Sequence, residues 1–86
     1  MKIRIVLSGR NYELAESIPA SLELGDGATI DDAIEHVTAL LPEGRSLPPS
    51  CLLAIGGKHV GTLAAHAPTV LGDGDELVIV APVAGG

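Results

Sequence analysis

The residues Thr29–Leu41, TIDDAIEHVTALL, carry the clearest periodic pattern in the chain. Its apolar residues recur at intervals of three and four and leave the polar residues on other faces: Ile30, Ala33, Ile34, Val37, Leu40 and Leu41 against Asp31, Asp32, Glu35 and Thr38. This spacing is typical of a helix that buries one face. Thr29 and Asp32 have the spacing of a variant capping box, so we expect the helix to begin there. Pro42 and Gly44 should end it.

Strand-like segments flank this helix on both sides. Apolar and polar residues alternate over residues 2–7, before a break at residues 8–11, and again over residues 20–24, which predicts two strands before the helix. Residues 13–16 fit a single helical turn between them. After the helix, residues 52–55 and 58–60 are separated by Gly56-Gly57, a pair that tight hairpin turns favour. Residues 61–71 give only a weak pattern, and Pro68 favours a loop.

The last strand is predicted at residues 76–80 or 81 and is apolar except at its first residue. Such a run is typical of a central strand that is covered on both faces. The full order is strand, strand, helix, strand, short strand, strand, which fits an α+β roll of the ubiquitin-like β-grasp kind. We therefore expect a mixed sheet of about five strands on one main helix. Residues 1–86 would form a single domain with a flexible tail at about residues 82–86.

Composition and charge limit the classes of function. The chain has 86 residues, 47% of them hydrophobic, but Tyr12 is its one aromatic residue, so aliphatic side chains must fill a modest core. A formal net charge of -6 disfavours nucleic acid and anionic membranes as partners and favours a basic protein surface. No apolar run approaches the roughly 18 residues of a membrane span, and residues 2–7 are too short and too charged for a signal peptide. We expect a cytoplasmic protein.

Several residues with reactive or ligating side chains fit structural roles better than a site of their own. Cys51 is the single cysteine and has no Lys, Arg or His beside it, so we interpret it as a structural thiol. The three histidines, His36, His59 and His66, lack metal-ligand spacing, and we place His36 and His59 at exposed positions. We expect no metal site.

The acidic residues fit structural roles in the same way. Those of the turn, Asp73, Asp75 and Glu76, lack the twelve-residue spacing of a calcium loop and suit a solvated turn that starts a strand. The acids at the start of the helix, Asp31, Asp32 and Glu35, suit the positive end of its dipole. Whether they also steer a basic partner is a hypothesis. The sequence lacks a G-x-x-x-x-G-K-[ST] motif, so we expect no nucleotide site in the chain itself.

The chain ends in Ala81-Pro82-Val83-Ala84-Gly85-Gly86. Pro82 has no amide hydrogen and therefore tends to end sheet pairing. Two glycines without Cβ atoms, followed by a free carboxylate, can pass through clefts that exclude other residues. Frayed chain ends are also commonly rich in glycine. From these residues alone, a functional tail and a passive chain end both stay open.

The segment Leu71-Gly72-Asp73-Gly74-Asp75-Glu76-Leu77, with the strand and tail that follow, resembles the small sulfur-carrier proteins of the MoaD and ThiS type, and the MoaD branch most of all. Weaker agreements lie at Gly9-Arg10, Glu13-Leu14, Thr29 and Ala54-Ile55. The chain departs from the family pattern at Leu7-Ser8, where an aromatic residue is frequent, at Gly56, where Asn is frequent, and at Ala81 and Ala84 of the tail.

The resemblance implies a carrier that is not catalytic alone, the small subunit of a molybdopterin synthase-type complex. An adenylating enzyme of the ubiquitin-activating type would activate the Gly86 carboxylate with ATP, and a sulfur donor protein would convert it to a thiocarboxylate. The larger synthase subunit would receive the tail, consisting of Pro82, Val83, Ala84, Gly85 and Gly86. No cofactor would be bound tightly, since the partner uses the ATP.

Three alternatives remain at this point. The carrier would serve synthesis of thiazole for thiamine, or of another sulfur-containing metabolite. It would instead be a ubiquitin-like modifier that is joined to a lysine of another protein. Or it would be a passive interaction domain, in which case loss of Gly86 would be harmless.

Overall fold

The computed structural model describes residues 1–9 and 17–81. The helical turn predicted at residues 13–16 and the tail at residues 82–86 lie outside the described residues. Within the described part of the chain, no helix has the length and apolar character needed to cross a membrane.

Five strands and one helix make up the described structure, in the order β1 (Lys2–Gly9), β2 (Ser21–Glu23), α1 (Ile30–Leu40), β3 (Leu52–Ile55), β4 (Lys58–Thr62) and β5 (Glu76–Ala81). The strands form one sheet in the order β2-β1-β5-β3-β4. β1 and β5 run parallel, and the other neighbouring pairs are antiparallel. This mixed sheet with its single helix confirms the predicted ubiquitin-like β-grasp fold.

The core is aliphatic, as the composition predicts. It joins one face of the sheet to α1 and to the loops beside them, through Ile3, Ile5, Leu22, Ile30, Ala33, Val37, Leu47, Cys51, Leu53, Leu71, Leu77, Ile79 and Ala81. In β1, Ile3 and Ile5 are buried while Lys2 and Arg4 are exposed, which is the alternation of a half-buried strand. The predicted break at residue 8 is wrong, because β1 continues to Gly9 by pairing with β5.

Helix α1 begins at the predicted capping box. The Asp32 amide donates to Thr29 Oγ1 at 3.3 Å, and the Thr29 amide donates to Asp32 Oδ2 at 2.9 Å, so two amides that the helix itself leaves unpaired are satisfied. Of the predicted apolar face, Ile30, Ala33 and Val37 are buried, Ile34 and Leu41 are half-buried, and Leu40 is exposed. The apolar stripe is therefore wider than the strip of helix that the sheet covers.

The hairpin between β3 and β4 turns at the predicted glycine pair. Gly56 and Gly57 have φ values of 58° and 82°, the positive angles that a two-residue turn of type I′ requires. β4 extends to Thr62, two residues beyond its predicted end, across an irregularity in its pairing with β3. The following loop folds back along β4, where the Ala67 amide donates to the Val60 carbonyl at 3.1 Å.

β5 lies in the centre of the sheet, as predicted, but only one of its faces is fully covered. Leu77 and Ile79 are completely buried and Ala81 is 4% exposed. Val78 and Val80, which point to the other face, are only half-buried. Among the described residues, α1 covers one face of the sheet and no second layer covers the other, so the prediction of a strand covered on both faces is wrong.

Candidate functional site

The carboxyl end of β5 is the point from which the predicted tail continues. Ala81 is buried, and it pairs with Gly9 in the last position of the parallel β1–β5 ladder. The predicted site residues Pro82, Val83, Ala84, Gly85 and Gly86 lie outside the described residues. The structure thus fixes the position of the residue immediately before them.

The sheet face turned away from α1 carries an apolar patch next to Ala81. We call this patch the open face and define it by five residues: Val6, Leu52, Ala54, Val78 and Val80. Strand register places Val78 between Val6 and Ala54, and places Leu52 beside Val80, so the five side chains form two adjoining rows. Leu52 is 45% exposed. The other four are half-buried, and a contiguous, partly exposed apolar surface of this kind is a candidate protein interaction site.

The same face becomes polar toward the start of β5. There Arg4 Nη1 lies 3.7 Å from Glu76 Oε2, and both side chains are substantially exposed. Exposed ion pairs contribute little to stability. The sheet face therefore has a charged end at the start of β5 and an apolar end beside Ala81.

The acidic turn before β5 is held by its own carboxylates. Asp73 Oδ1 accepts from the Lys2 amide at 2.7 Å, and Asp75 Oδ2 accepts from the Gly72 amide at 2.7 Å. The Gly74 amide also donates to the Lys2 carbonyl at 2.8 Å. These bonds account for the acidic residues as parts of a turn that starts a strand, as predicted. In the described residues, no group of three or more His, Cys, Asp or Glu is placed to hold a metal ion.

One histidine has a structural role that the sequence did not indicate. His36 and His59 are exposed, as predicted, but the side chain of His66 is only 8% exposed. Its Nδ1 lies 2.9 Å from the Thr62 carbonyl oxygen, and its Nε2 lies 2.8 Å from Asp31 Oδ1. Both partners are acceptors, so only the imidazolium form donates to both.

These contacts also shift the acidity of that histidine. The Thr62 carbonyl and, to a smaller degree, the Asp31 carboxylate raise the pKa of His66 above its ordinary value, against the opposing effect of burial. Asp31 thereby ties the loop after β4 to the first turn of α1. No local signal identifies this pair, because its members are 35 residues apart.

Cys51 is a structural thiol, as predicted. It is completely buried in the core, and burial raises the pKa of its thiol. A thiol that resists ionisation is a poor nucleophile. It is therefore not a candidate for sulfur chemistry.

The fold and the open face together define a ubiquitin-like β-grasp protein. Comparison with known proteins gives its family: the model of the ThiS family matches residues 5–86. The chain is also 31% identical over 86 residues to a protein of Chlamydomonas reinhardtii named "Molybdopterin synthase sulfur carrier subunit", with 100% of both chains covered. No solved structure gives a significant match. The chain belongs to the ThiS family of small sulfur-carrier proteins.

Proposed function

We propose that this chain carries sulfur as a thiocarboxylate on Gly86 and that the sulfur is used in molybdopterin biosynthesis. Family membership supports the carrier chemistry, and the name of the Chlamydomonas relative supports the pathway. The structural observation that carries the proposal is the position of Ala81. The central strand of the sheet holds this residue beside the open face, and five residues, 82–86, follow it.

The chemistry requires activation by a partner. A carboxylate is a poor electrophile because its oxygen is a poor leaving group. In the proposed first step, a Gly86 carboxylate oxygen attacks the α-phosphorus of ATP and pyrophosphate leaves, giving an acyl adenylate. A hydrosulfide equivalent from a sulfur donor then attacks the carbonyl carbon, and AMP leaves with the oxygen. The product is a thiocarboxylate whose sulfur is nucleophilic and has no side chain beside it.

Transfer returns the carrier to its starting form. The thiocarboxylate sulfur attacks an electrophilic carbon of the acceptor, the leaving group on that carbon departs with its electron pair, and a thioester is formed. Hydrolysis of the thioester leaves the sulfur on the acceptor and regenerates the Gly86 carboxylate. We propose that the acceptor is the molybdopterin precursor, held by a larger synthase subunit.

The length of the tail limits where the partners bind. Five extended residues reach at most about 18 Å, so a partner's active site must lie within that distance of Ala81. A partner that comes so close must cover the sheet near the end of β5, and the open face is the apolar surface at that place. The net charge of -6 favours a partner with a basic surface around this contact.

The test is a reconstitution with an activating enzyme of the ubiquitin-activating type, ATP and a sulfur donor protein. Replacement of one carboxylate oxygen by sulfur adds about 16 Da, which intact mass spectrometry resolves. Oxidation of Met1 or Cys51 adds the same mass, so the fragment that carries Gly86 must be sequenced. A thiocarboxylate on this fragment is the expected result.

Two other outcomes would replace the proposal. An isopeptide adduct with a lysine would identify a ubiquitin-like modifier, and a terminus that stays unmodified would favour an interaction domain. The pathway is tested in a second step, by supplying the thiocarboxylated carrier with a larger synthase subunit and molybdopterin precursor or with a thiazole precursor. Sulfur loss only in the presence of the thiazole precursor would overturn the assignment to molybdopterin.

A further inference from the structure

The backbones of Gly9 and Ala81 leave no space for a side chain at residue 9, at the last paired position of β1 and β5. Gly9 has a φ of +91°, a conformation that L side chains rarely adopt. A Cβ atom at this position would overlap the carbonyl oxygen of Ala81 and would lie 3.1 Å from its nitrogen. The backbone of β1 therefore occupies the space that a side chain would need.

We propose that Gly9 is a positioning residue for the activation of Gly86: its missing side chain lets β1 lie against Ala81 and thereby fixes the point from which the tail continues. This inference rests on the proposed carrier function. Two contacts fix the position of Ala81: its side chain is buried in the core, and its backbone lies against Gly9. A Cβ atom at residue 9 would overlap the backbone of Ala81 in this position.

The other glycines of the described chain show that this is not a general turn requirement. Five of them have positive φ angles but nothing within 4 Å of an added Cβ: Gly27, Gly44, Gly56, Gly57 and Gly74. Those glycines are explained by turn geometry alone. Gly61 of β4, with a φ of +134°, is crowded in the same way, but by Ala65 and His66 of the loop that follows its own strand. What distinguishes Gly9 is its neighbour, because Ala81 is the residue that precedes the tail.

A side chain at residue 9 must therefore displace Ala81 or break its pairing with β1. This pair is the last of six between the two strands, so the other five, from Arg4 with Glu76 to Ser8 with Val80, remain able to form. The damage is local, but it moves Ala81, the residue from which the tail continues, and so changes the point from which Gly86 is presented to a partner. A misplacement of about 1 Å is enough to slow a reaction about 100-fold.

The substitution changes no side chain of the open face, so we expect KM and kcat to respond differently. If docking on Leu52 and Val80 is unaffected, KM for the carrier should stay unchanged. Impaired delivery of Gly86 to the reacting atoms should lower kcat. A purely structural role for Gly9 would not produce such a split, because loss of folded carrier would only lower its effective concentration and so raise the apparent KM.

The experiment measures pyrophosphate release by the activating enzyme, with the carrier as the variable substrate. The variants are Gly9→Ala and a matched control, Gly27→Ala, whose glycine has a φ of +86° and open space around it. Both place alanine at a positive φ, but only Gly9→Ala creates the contact with Ala81. We expect Gly27→Ala to match the wild type, and Gly9→Ala to lower kcat at least about tenfold with KM within about twofold.

Gly9→Asn is included because Asn tolerates positive φ better than Ala and still carries a Cβ. We expect it to lower kcat in the same way. Equal kinetics for Gly9→Ala and Gly27→Ala, with an active wild type, would overturn the inference and leave the carrier function intact. A wild type that is never adenylated would instead overturn the carrier function. If neither Gly9 variant folds, Gly9 is a requirement of the fold and the positioning role is wrong.

Discussion

The two faces of β5 are built from similar residues but have different surroundings. On the core face, Leu77, Ile79 and Ala81 are at most 4% exposed and pack with α1 and the other strands. On the open face, Val78 and Val80 are only half-buried, and Leu52 of the neighbouring strand is 45% exposed. An apolar residue in a central strand is therefore not always part of the core. One face of this strand stabilises the fold, and the other is the surface that we propose for partner binding.

The same strand connects the two faces to the tail. The core face holds Ala81 in place, and the open face beside it is the proposed docking surface. Changes on the core face should therefore affect stability, whereas changes on the open face and in the tail should affect the proposed sulfur chemistry. The following experiments test that separation.

The largest expected effect on activity comes from deletion of Gly86. The variant should form no thiocarboxylate, because the remaining tail is one residue shorter and no longer places its carboxylate at the reacting atoms. Its melting temperature should fall by less than about 1 °C, since one terminal residue makes few stabilising contacts. Calorimetry and mass spectrometry give the two values. A decrease of several degrees would show that the tail packs against the domain.

Adjacent residues of β5 provide the corresponding test of stability. Ile79→Ala should lower the free energy of unfolding by about 2–5 kcal/mol, because it removes buried methyl groups and leaves a cavity. Val78→Ala, one residue away on the open face, should cost about 1 kcal/mol or less. Urea unfolding followed by circular dichroism measures both. Equal losses would mean that both faces of the strand contribute equally to the core.

The open face is tested by placing a charge on it. Leu52→Asp should raise KM for the carrier in the adenylation assay about tenfold or more, because a carboxylate would lose its hydration in an apolar contact. The matched control is Val70→Asp, since Val70 is 66% exposed on the loop before β5 and does not belong to the open face. Its KM should match the wild type. If both variants raise KM equally, added negative charge is the cause and the open face is not the docking surface.

The smallest expected effect is the pH dependence of stability that arises from His66, in the loop after β4. The folded protein raises the pKa of His66 above the ordinary 6.5, so the stabilisation is fully present below about pH 6.5 and is lost as the pH rises through the folded value. Among the described residues, the charged group that acts on His66 is Asp31 of α1, while β4 and its loop contribute the carbonyls of Thr62 and Leu63.

An NMR titration of the wild type and of Asp31→Asn tests this. We expect the pKa of His66 to lie above 6.5 in the wild type and to fall in Asp31→Asn, because the carboxylate that favours the imidazolium is removed. The loss of melting temperature from about pH 5 to about pH 9 should be smaller in the variant. A His66 that titrates at or below the ordinary value in the wild type would contradict the hydrogen bonds to Thr62 and Asp31.

Sequence patterns located those features that depend on neighbouring residues. Thr29 and Asp32 predicted the start of α1, since both partners of a capping box lie within one turn. The pair Gly56-Gly57 predicted the hairpin, because the turn angles belong to those two residues. The order of these elements was then sufficient for the β-grasp fold, and the resemblance of the last strand and tail was sufficient for the family.

Only the tertiary structure decided which apolar residues are covered and which distant residues meet. Hydrophobicity placed Val78 and Val80 in a central strand, but in the described residues α1 covers the opposite side of the sheet, and both valines lie on the open face. Likewise, the contact of Gly9 with Ala81 and that of Asp31 with His66 depend on strand register and loop packing between segments far apart in the chain. A residue's own chemistry sets its local conformation, whereas burial and long-range contacts are properties of the surfaces that pack against it.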